Sequence, residues 1–349
     1  MPSTELQGLV QTVLGPIEPA ELGATTTHEH LFIDFSFMYR PPQYSARDMA
    51  DEPIALSNLG WVKYNYYSNH ANLQLMDVDA AISEVSLYKA AGGGAIVEAT
   101  SMGIGRDPKA LERISRESGV HVIMGAGFYV DAVHPDDMTA RDVEDLAQRI
   151  VADIRDGVDG TGIRAGIIGE VGCTWPLTDN ERKSLAAAAM AQRETGAAIL
   201  IHPGRHPDAP AEILDILGSN GADISRVIMG HLDRTVFEPE QLLSIAASGC
   251  YLEWDLFGNE GSYYPLAELD MPSDAQRLDL IKGVTDAGYG NKVVIAQDIC
   301  TNHRLVRYGG HGYGHILENI VPRMRSRGFS DEVVEAITVG NPASILTFA

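Results

Sequence analysis

The sequence predicts an α/β protein that folds as a (β/α)₈ TIM barrel, and three observations support this architecture. Short runs rich in β-branched residues recur along the 349-residue chain, and a stretch with helical periodicity follows most of them. These runs are apolar almost throughout, which is typical of strands buried on both faces of a parallel sheet. Eight such runs can be identified, the number that a closed barrel of this kind requires.

The strand candidates can be placed in order along the chain. The first is ATTTHEHLFID at residues 24–34, and the others are GGAIVEAT (93–100), VHVIMGAGFYV (120–130), IRAGIIGEVG (163–172), AAILIHPG (197–204), RVIMGHLD (226–233), GCYLEWDLFG (249–258) and KVVIAQDIC (292–300). The helix after the fourth strand has a recognisable start, because Thr178 can cap it and Glu181 can complete a capping box. An open doubly wound sheet is the alternative. It would normally carry a glycine-rich nucleotide loop after its first strand, where this sequence has histidines.

We predict that residues 1–349 form a single domain, because no internal repeat or low-complexity linker divides the chain. Residues 35–78 form a long irregular insertion between the first strand and its helix, and they contain several tyrosines. Loops of this length in compact domains are usually lids or functional insertions. The aromatic residues can line a pocket, or they can simply anchor the insertion on the barrel.

The composition excludes several classes of function. With 48 acidic and 26 basic residues the formal charge is −22, which opposes binding to nucleic acid or to an anionic membrane surface. No apolar run is long enough to span a bilayer, and the N-terminal residues lack the features of a secretory leader. The three cysteines lie far apart, as is typical of a reducing compartment, so we expect a cytoplasmic protein.

Residue types that commonly bind metal ions lie at the carboxyl ends of several predicted strands. His28 and His30 are two positions apart, so both side chains point to the same face of the first strand. The fourth, fifth, sixth and eighth strands end with Glu170, His202, His231 and Asp298. These strand ends converge on one mouth of a barrel, and burying four imidazoles with two carboxylates would be costly without cations.

Six protein ligands are too many for one tetrahedral ion, so the sequence predicts two divalent ions. Glu170 is the expected bridge because it lies between the two groups of histidines in barrel order. Nitrogen and oxygen ligands without thiolate suit Zn²⁺ first, with Mn²⁺, Co²⁺ or Fe²⁺ as alternatives. Such a pair would activate a bridging hydroxide. Asp298 either transfers the proton of that hydroxide to the leaving group or acts only as a ligand.

Several longer motifs carry a family resemblance that covers nearly the whole chain. They are GPIEPAELGATTTHEHLFID, GIIGEVGCTWPLTDNE, IHPGR, MGHLDRT and AQDI. Together they resemble the phosphotriesterase family of the amidohydrolase superfamily, particularly its phosphotriesterase-related branch. The resemblance implies that His28, His30 and Asp298 hold the more buried ion, that His202 and His231 hold the more exposed one, and that Glu170 bridges them. It also implies a homodimer. Many members have a carboxylated lysine as the bridge, where this sequence has glutamate.

Candidates for substrate binding follow the ligand positions. Arg205 comes three residues after His202, and Arg234 three residues after His231; a guanidinium suits carboxylate, sulfonate or phosphate groups. An ion pair with one of the many acidic residues is the alternative for each arginine. Tyr129 and Trp175 follow the third and fourth strands and can form pocket walls, although Trp175 can equally serve packing. Asp233 can orient His231 or cap the next segment.

These residues predict hydrolysis of a carboxylic ester, lactone or amide bond in a small anionic substrate. The resemblance implies the same range, since family members hydrolyse phosphotriesters, lactones and, in the related branch, N-acyl amino acids or N-acyl taurines. A phosphotriesterase and a small-molecule binding protein without catalysis are the alternative functions. A complete set of six ligands argues against the binding protein, which would have little need for them.

Overall fold

The barrel predicted from the sequence is confirmed by a computed structural model, which describes residues 5–261 and 264–349. Within these residues, eight parallel strands lie side by side in chain order. They are β1 (Ala24–Glu29), β2 (Gly93–Glu98), β3 (His121–Ala126), β4 (Ile167–Gly172), β5 (Ile199–His202), β6 (Val227–Met229), β7 (Tyr251–Trp254) and β8 (Val293–Ile295). The last strand lies beside the first, and just beyond β8 the backbone N–H of Asp298 donates to the carbonyl of His28 at 3.1 Å. The sheet therefore closes at the end where the ligand candidates lie.

Seven helices pack outside the barrel, one after each of the first seven described strands. They are α1 (Val78–Ala90), α2 (Pro108–Ser118), α3 (Val143–Arg155), α4 (Asp179–Thr195), α5 (Ala209–Ser219), α6 (Pro239–Ala247) and α7 (Asp274–Val284). The start of α4 has the capping box expected from the sequence: Thr178 Oγ1 accepts from the backbone N–H of Glu181, and the Glu181 carboxylate accepts from that of Thr178. Short helices at Val321–Ser326, Asp331–Glu335 and Asn341–Leu346 complete the chain.

Close backbone contacts inside the barrel require glycine at particular positions. Gly125 on β3 faces β4 so closely that a Cβ atom there would lie 1.9 Å from the carbonyl oxygen of Gly169. The residue after Gly169 is the ligand candidate Glu170. The absence of a side chain at Gly125 thus sets how closely the strand that carries Glu170 approaches its neighbour.

Two segments outside the eight β/α units pack on the barrel. An antiparallel hairpin (Val10–Thr12 and Gly15–Ile17) precedes β1, and the backbone N–H of Val13 donates to the carbonyl of Val122. The segment 35–78 begins and ends beside a short antiparallel pair, Ile33–Asp34 with Gln74–Leu75, and contains the helix Leu59–Tyr64. Its movement as a lid stays a prediction. None of the helices in the described ranges combines the length and apolarity that crossing a bilayer would need.

Candidate metal centre

All six ligand candidates predicted from the sequence lie together at the carboxyl end of the barrel. Glu170 is at the centre, with its carboxylate oxygens within 3.6 Å of a ring nitrogen of each of the four histidines. The nitrogen–oxygen distances are 2.9 Å to His202, 3.3 Å to His28, 3.3 Å to His30 and 3.6 Å to His231. Asp298 Oδ1 lies 3.2 Å from His30 Nε2 and 4.0 Å from His28 Nε2. Glu170 thus contacts both groups of histidines, those of β1 and those that follow from β5 and β6.

Strand geometry and backbone conformation aim these side chains at one point. His28 and His30 share a face of β1, while Glu29 between them points the opposite way and accepts backbone N–H groups near β8. His231 and Asp298 have φ angles of 52° and 48°, in the left-handed region that residues other than glycine rarely adopt. Such conformations are concentrated at functional sites, where the surrounding structure holds them.

Acidic residues that the sequence analysis did not single out lie behind two of the histidine rings. Asp255 Oδ1 is 2.7 Å from His231 Nδ1, and Asp255 Oδ2 is 3.1 Å from His28 Nδ1. Glu253, two positions before Asp255 on β7, is 3.4 Å from the same nitrogen of His28. Both are buried. Their signal in the sequence was the spacing Glu-Trp-Asp at the end of β7, which places two carboxylates on one face of a strand.

His30 has a comparable partner through a hydroxyl. Its Nδ1 lies 2.9 Å from Thr100 Oγ1, and that hydroxyl donates to Glu98 Oε1 at 2.5 Å. Burial raises the pKa of Glu98 to about 7, although His30 and the Thr100 hydroxyl both act to lower it. This arrangement directs Nε2 of His30 towards Glu170 and Asp298.

The charges in the cluster depend strongly on one another. Burial acts to lower the pKa of His30, but contacts with Asp298 and Glu170 raise it to about 10. Burial acts to raise the pKa of Glu170, but the charges of His28 and His202 hold it well below its ordinary value. The pKa of His202 is well below its ordinary value because of burial and the neighbouring His231. Without a metal, protons thus supply the positive charge that the carboxylates need.

The residues present fit divalent cations. Among the residues that the structure describes, three overlapping groups have ligand atoms within 4.8 Å of one another: His28, His30 and Glu170; Glu170, His202 and His231; His28, His231 and Asp255. His28 is fully buried, yet neither of its ring nitrogens makes an aligned hydrogen bond within the described residues, despite the nearby carboxylates. Buried polar atoms are normally satisfied, so these nitrogens suit a ligand. Nitrogen and carboxylate donors without thiolate match zinc and similar ions.

A cavity opens directly onto the cluster. Its lining includes ligands, aromatic residues of the segment 35–78 and cationic residues, among them His30, Phe35, Tyr66, Tyr67, Tyr129, His202, Arg205, His231, Arg234, Tyr264, Asp298 and Arg304. The Tyr129 hydroxyl lies 3.2 Å from His202 Nδ1, so this tyrosine stands beside the predicted metal site. Trp175 is not among the residues that line this cavity. It stacks on His206 with ring centroids 4.4 Å apart.

The two cavity arginines that the sequence singled out form no ion pair with a carboxylate of the described chain. Arg205 is partly buried and its Nε donates to the Tyr264 hydroxyl at 2.7 Å. Arg234 is 3% exposed and contacts Pro203 O, Thr235 Oγ1 and His202 Nε2. Burial and the positive charge of Arg205 lower the pKa of Arg234, as expected for cations without counter-ions.

Asp233 does not hydrogen-bond to His231, contrary to one of its two expected roles. Its Oδ2 accepts from Arg277 Nε at 2.7 Å and from the backbone N–H of Leu256 at 3.0 Å. Asp255, directly after the neighbouring strand β7, occupies the place beside His231 instead. Asp233 therefore links the loop after β6 to α7.

Comparisons with known proteins agree with this geometry. A profile described as the phosphotriesterase family matches residues 8–346. A mouse protein named N-acetyltaurine hydrolase is 50% identical over 347 residues, with 99% of each chain covered, and the human protein of that name is 49% identical over the same coverage. A crystal structure of a resiniferatoxin-binding protein from Rhodobacter sphaeroides is 36% identical. It covers 97% of this chain and 95% of that chain, with a TM-score of 0.94.

Proposed function

This chain belongs to the phosphotriesterase family and is a hydrolase, and from that premise we propose that it is a binuclear metal-dependent amidase. Its proposed substrate is a small N-acyl amine with an anionic group, and N-acetyltaurine is the first candidate because similar proteins are named for it. His28, His30 and Asp298 would hold one ion, His202 and His231 the other, with Glu170 between them. Zn²⁺ is the proposed metal.

The observation that carries the choice of substrate is the pair of arginines without carboxylate partners beside the ligand cluster. Arg205 and Arg234 line the same cavity as His30 and Asp298. A cation that is removed from water needs a counter-charge, and no carboxylate of the described chain supplies one. A sulfonate or carboxylate on the substrate would provide it, and guanidinium groups bind such anions by paired hydrogen bonds.

The residues around the cavity would have different roles in amide hydrolysis. When bound, the two ions would supply a nucleophilic hydroxide and polarise the acyl oxygen. Arg205 and Arg234 bind the anionic end and so orient the amide towards the cluster. Asp298 faces the cavity, and its carboxylate would accept the remaining proton of the attacking hydroxide and pass it to the leaving nitrogen as the C–N bond breaks. The aromatic residues of the segment 35–78 limit access of bulk water.

Metal analysis and a substrate panel test the proposal. We expect about two equivalents of divalent metal per chain, and hydrolysis of N-acetyltaurine that a chelator abolishes and added Zn²⁺ restores. N-ethylacetamide, which lacks the anionic group, should be a far poorer substrate than N-acetyltaurine or N-acetyl-β-alanine. Faster turnover of lactones or phosphotriesters would assign the site to those reactions instead. Ligand binding without chelator-sensitive turnover of any substrate would favour a binding protein.

A variant of Arg205 tests the role of the cationic pocket. Replacing it by glutamine removes a charged hydrogen bond worth about 1.5–3 kcal/mol, so kcat/KM for N-acetyltaurine should fall roughly 10- to 100-fold. Activity on N-ethylacetamide should change little, because that substrate has no anion to bind. Arg323→Gln, at an exposed position in a C-terminal helix, is the matched control and should retain native kinetics. An equal loss on both substrates would contradict the anion-binding role.

A further inference from the structure

His202 lies between the predicted metal cluster and the cavity arginines, and its two ring nitrogens have opposite surroundings. Nδ1 faces the cluster, 2.9 Å from Glu170 Oε2 and 2.8 Å from His231 Nε2. Nε2 lies 3.1 Å from Nη2 of Arg234. A single imidazole ring therefore separates a guanidinium from the place where a divalent cation would bind.

This arrangement differs from that of the other ligand histidines. His28, His30 and His231 each have an acidic group behind the ring, directly or through a hydroxyl. A negative partner of this kind strengthens the imidazole as a ligand and offsets part of the charge of a bound cation. His202 has a positive partner in the same place. The guanidinium repels a second cation and withdraws electron density from the ring.

The charge of Arg234 is poorly compensated in the structure. The other hydrogen bonds of its guanidinium go to the neutral acceptors Pro203 O and Thr235 Oγ1. The residue is 3% exposed, so water screens the charge weakly. Arg205 adds a second cation to the same cavity. An anion that binds between them would neutralise the charge that faces His202.

We propose that Arg234 couples metal binding to anion binding at this site. An anionic group held by Arg234 and Arg205 strengthens the binding of a divalent cation by His202, His231 and Glu170. The anion neutralises the guanidinium and offers its N–H groups an acceptor other than Nε2 of His202. Thermodynamic linkage makes the effect reciprocal, so the cation strengthens anion binding by the same factor. The inference rests on the proposed function, because it requires a metal at this group.

The coupling has a consequence for substrate selection. At limiting metal, an anionic amide completes the centre that hydrolyses it, whereas a neutral amide does not. Discrimination between the two substrates should therefore grow as free metal falls. An anion-binding pocket that acted on substrate affinity alone would give the same discrimination at every metal concentration.

Metal affinity, rather than activity, provides the test. Metal-free protein is titrated with Co²⁺ or Zn²⁺ in competition with a chelator, in the presence of ethanesulfonate or of the neutral dimethyl sulfone, at constant ionic strength. We expect ethanesulfonate to tighten binding of the weaker equivalent about tenfold, within the range usual for coupled sites, and the sulfone to have no effect. Unchanged affinity with saturating ethanesulfonate would overturn the coupling.

Two variants separate the coupling from damage to the site. Arg234→Gln should bind the weaker equivalent more tightly than the native chain when no anion is present, and it should not respond to ethanesulfonate. Arg205→Gln should respond less to ethanesulfonate than the native chain does, because one of the two groups that hold the anion is lost. A general disturbance would weaken metal binding, not tighten it. Weaker or unchanged affinity in Arg234→Gln would disprove the coupling. A native chain that binds no second equivalent would overturn the proposed function, and this inference with it.

Discussion

Asp255 holds His231 at two points. Its Oδ1 lies 2.7 Å from Nδ1 of the ring, and its Oδ2 accepts the backbone N–H of His231 at 2.8 Å. The φ angle of His231 is 52°, so the second bond fixes a backbone conformation that is otherwise unfavourable. One carboxylate therefore sets both the position of this histidine and the direction of its ring.

Asp255→Asn should weaken metal binding. The amide keeps one acceptor but turns an NH₂ group towards a nitrogen that is itself a donor, so one of the two bonds is lost. Loss of such a partner typically costs 10- to 100-fold in metal affinity, and we expect a fall in this range. A chelator competition titration measures it.

Glu253→Gln is the matched comparison for that variant. Glu253 lies on β7, two residues before Asp255, and its carboxylate contacts His28. This variant should therefore leave metal binding by His202, His231 and Glu170 closer to native. Native affinity in Asp255→Asn would show that the ring of His231 does not need this partner.

Glu29 should control the position of Asp298. Its carboxylate accepts the backbone N–H groups of Gln297 (2.8 Å) and Ile299 (3.1 Å), on either side of Asp298. Glu29→Ala leaves two buried donors without partners, at roughly 1–3 kcal/mol each, so stability should fall by about 2–6 kcal/mol. Urea unfolding measures this, and kcat should fall as well.

The isosteric variant Glu29→Gln refines this test. It keeps one acceptor oxygen, so its loss of stability should be smaller than that of Glu29→Ala. If Glu29→Ala were as stable as the native chain, the two hydrogen bonds would not contribute to holding Asp298.

A pair of glycine substitutions should act in opposite directions. Gly125→Ala would place a Cβ 1.9 Å from the carbonyl oxygen of Gly169, so β3 and β4 would have to separate beside Glu170. We expect a loss of several kcal/mol in unfolding free energy and reduced metal content. Gly283 lies in α7 with open space around it, and Gly283→Ala should stabilise the protein by about 0.5–1 kcal/mol. Equal thermal midpoints for the two variants would contradict the close approach.

Metal affinity should rise with pH across the neutral range. Contacts with Asp298 and Glu170 raise the pKa of His30 to about 10, so the metal-free protein carries a proton on this ring at pH 7. A cation binds the deprotonated ring and must release that proton. Affinity should therefore increase between pH 6 and 9. Calorimetry in buffers of different ionisation enthalpy counts the released protons, and release of none at pH 7 would contradict the prediction.

The fold and the clustering of the six ligand candidates could be predicted because their signals are local in sequence. Apolar runs bounded by helical stretches identify the strands. If these strands close into a barrel, the ligand candidates at their carboxyl ends must lie together at its mouth. The alternation of side chains along a strand was enough to predict that His28 and His30 face the same way. Asp255 and Glu253 carried the same alternation and were missed, because acidic residues at strand ends are common and nothing local distinguished this pair.

The sequence by itself determined the barrel, the order of its strands and the six residues that meet at its mouth. Only the tertiary structure decided which partner each polar group takes. From the sequence, Arg205 could bind substrate or form an ion pair with an acidic residue. Asp233 could orient His231 or cap the next segment, and Trp175 could line the pocket or serve packing. Those choices depend on contacts between residues far apart in the chain, such as Asp233 with Arg277. Periodicity in a sequence fixes the face on which a side chain lies, but packing against other strands and helices fixes what it meets there.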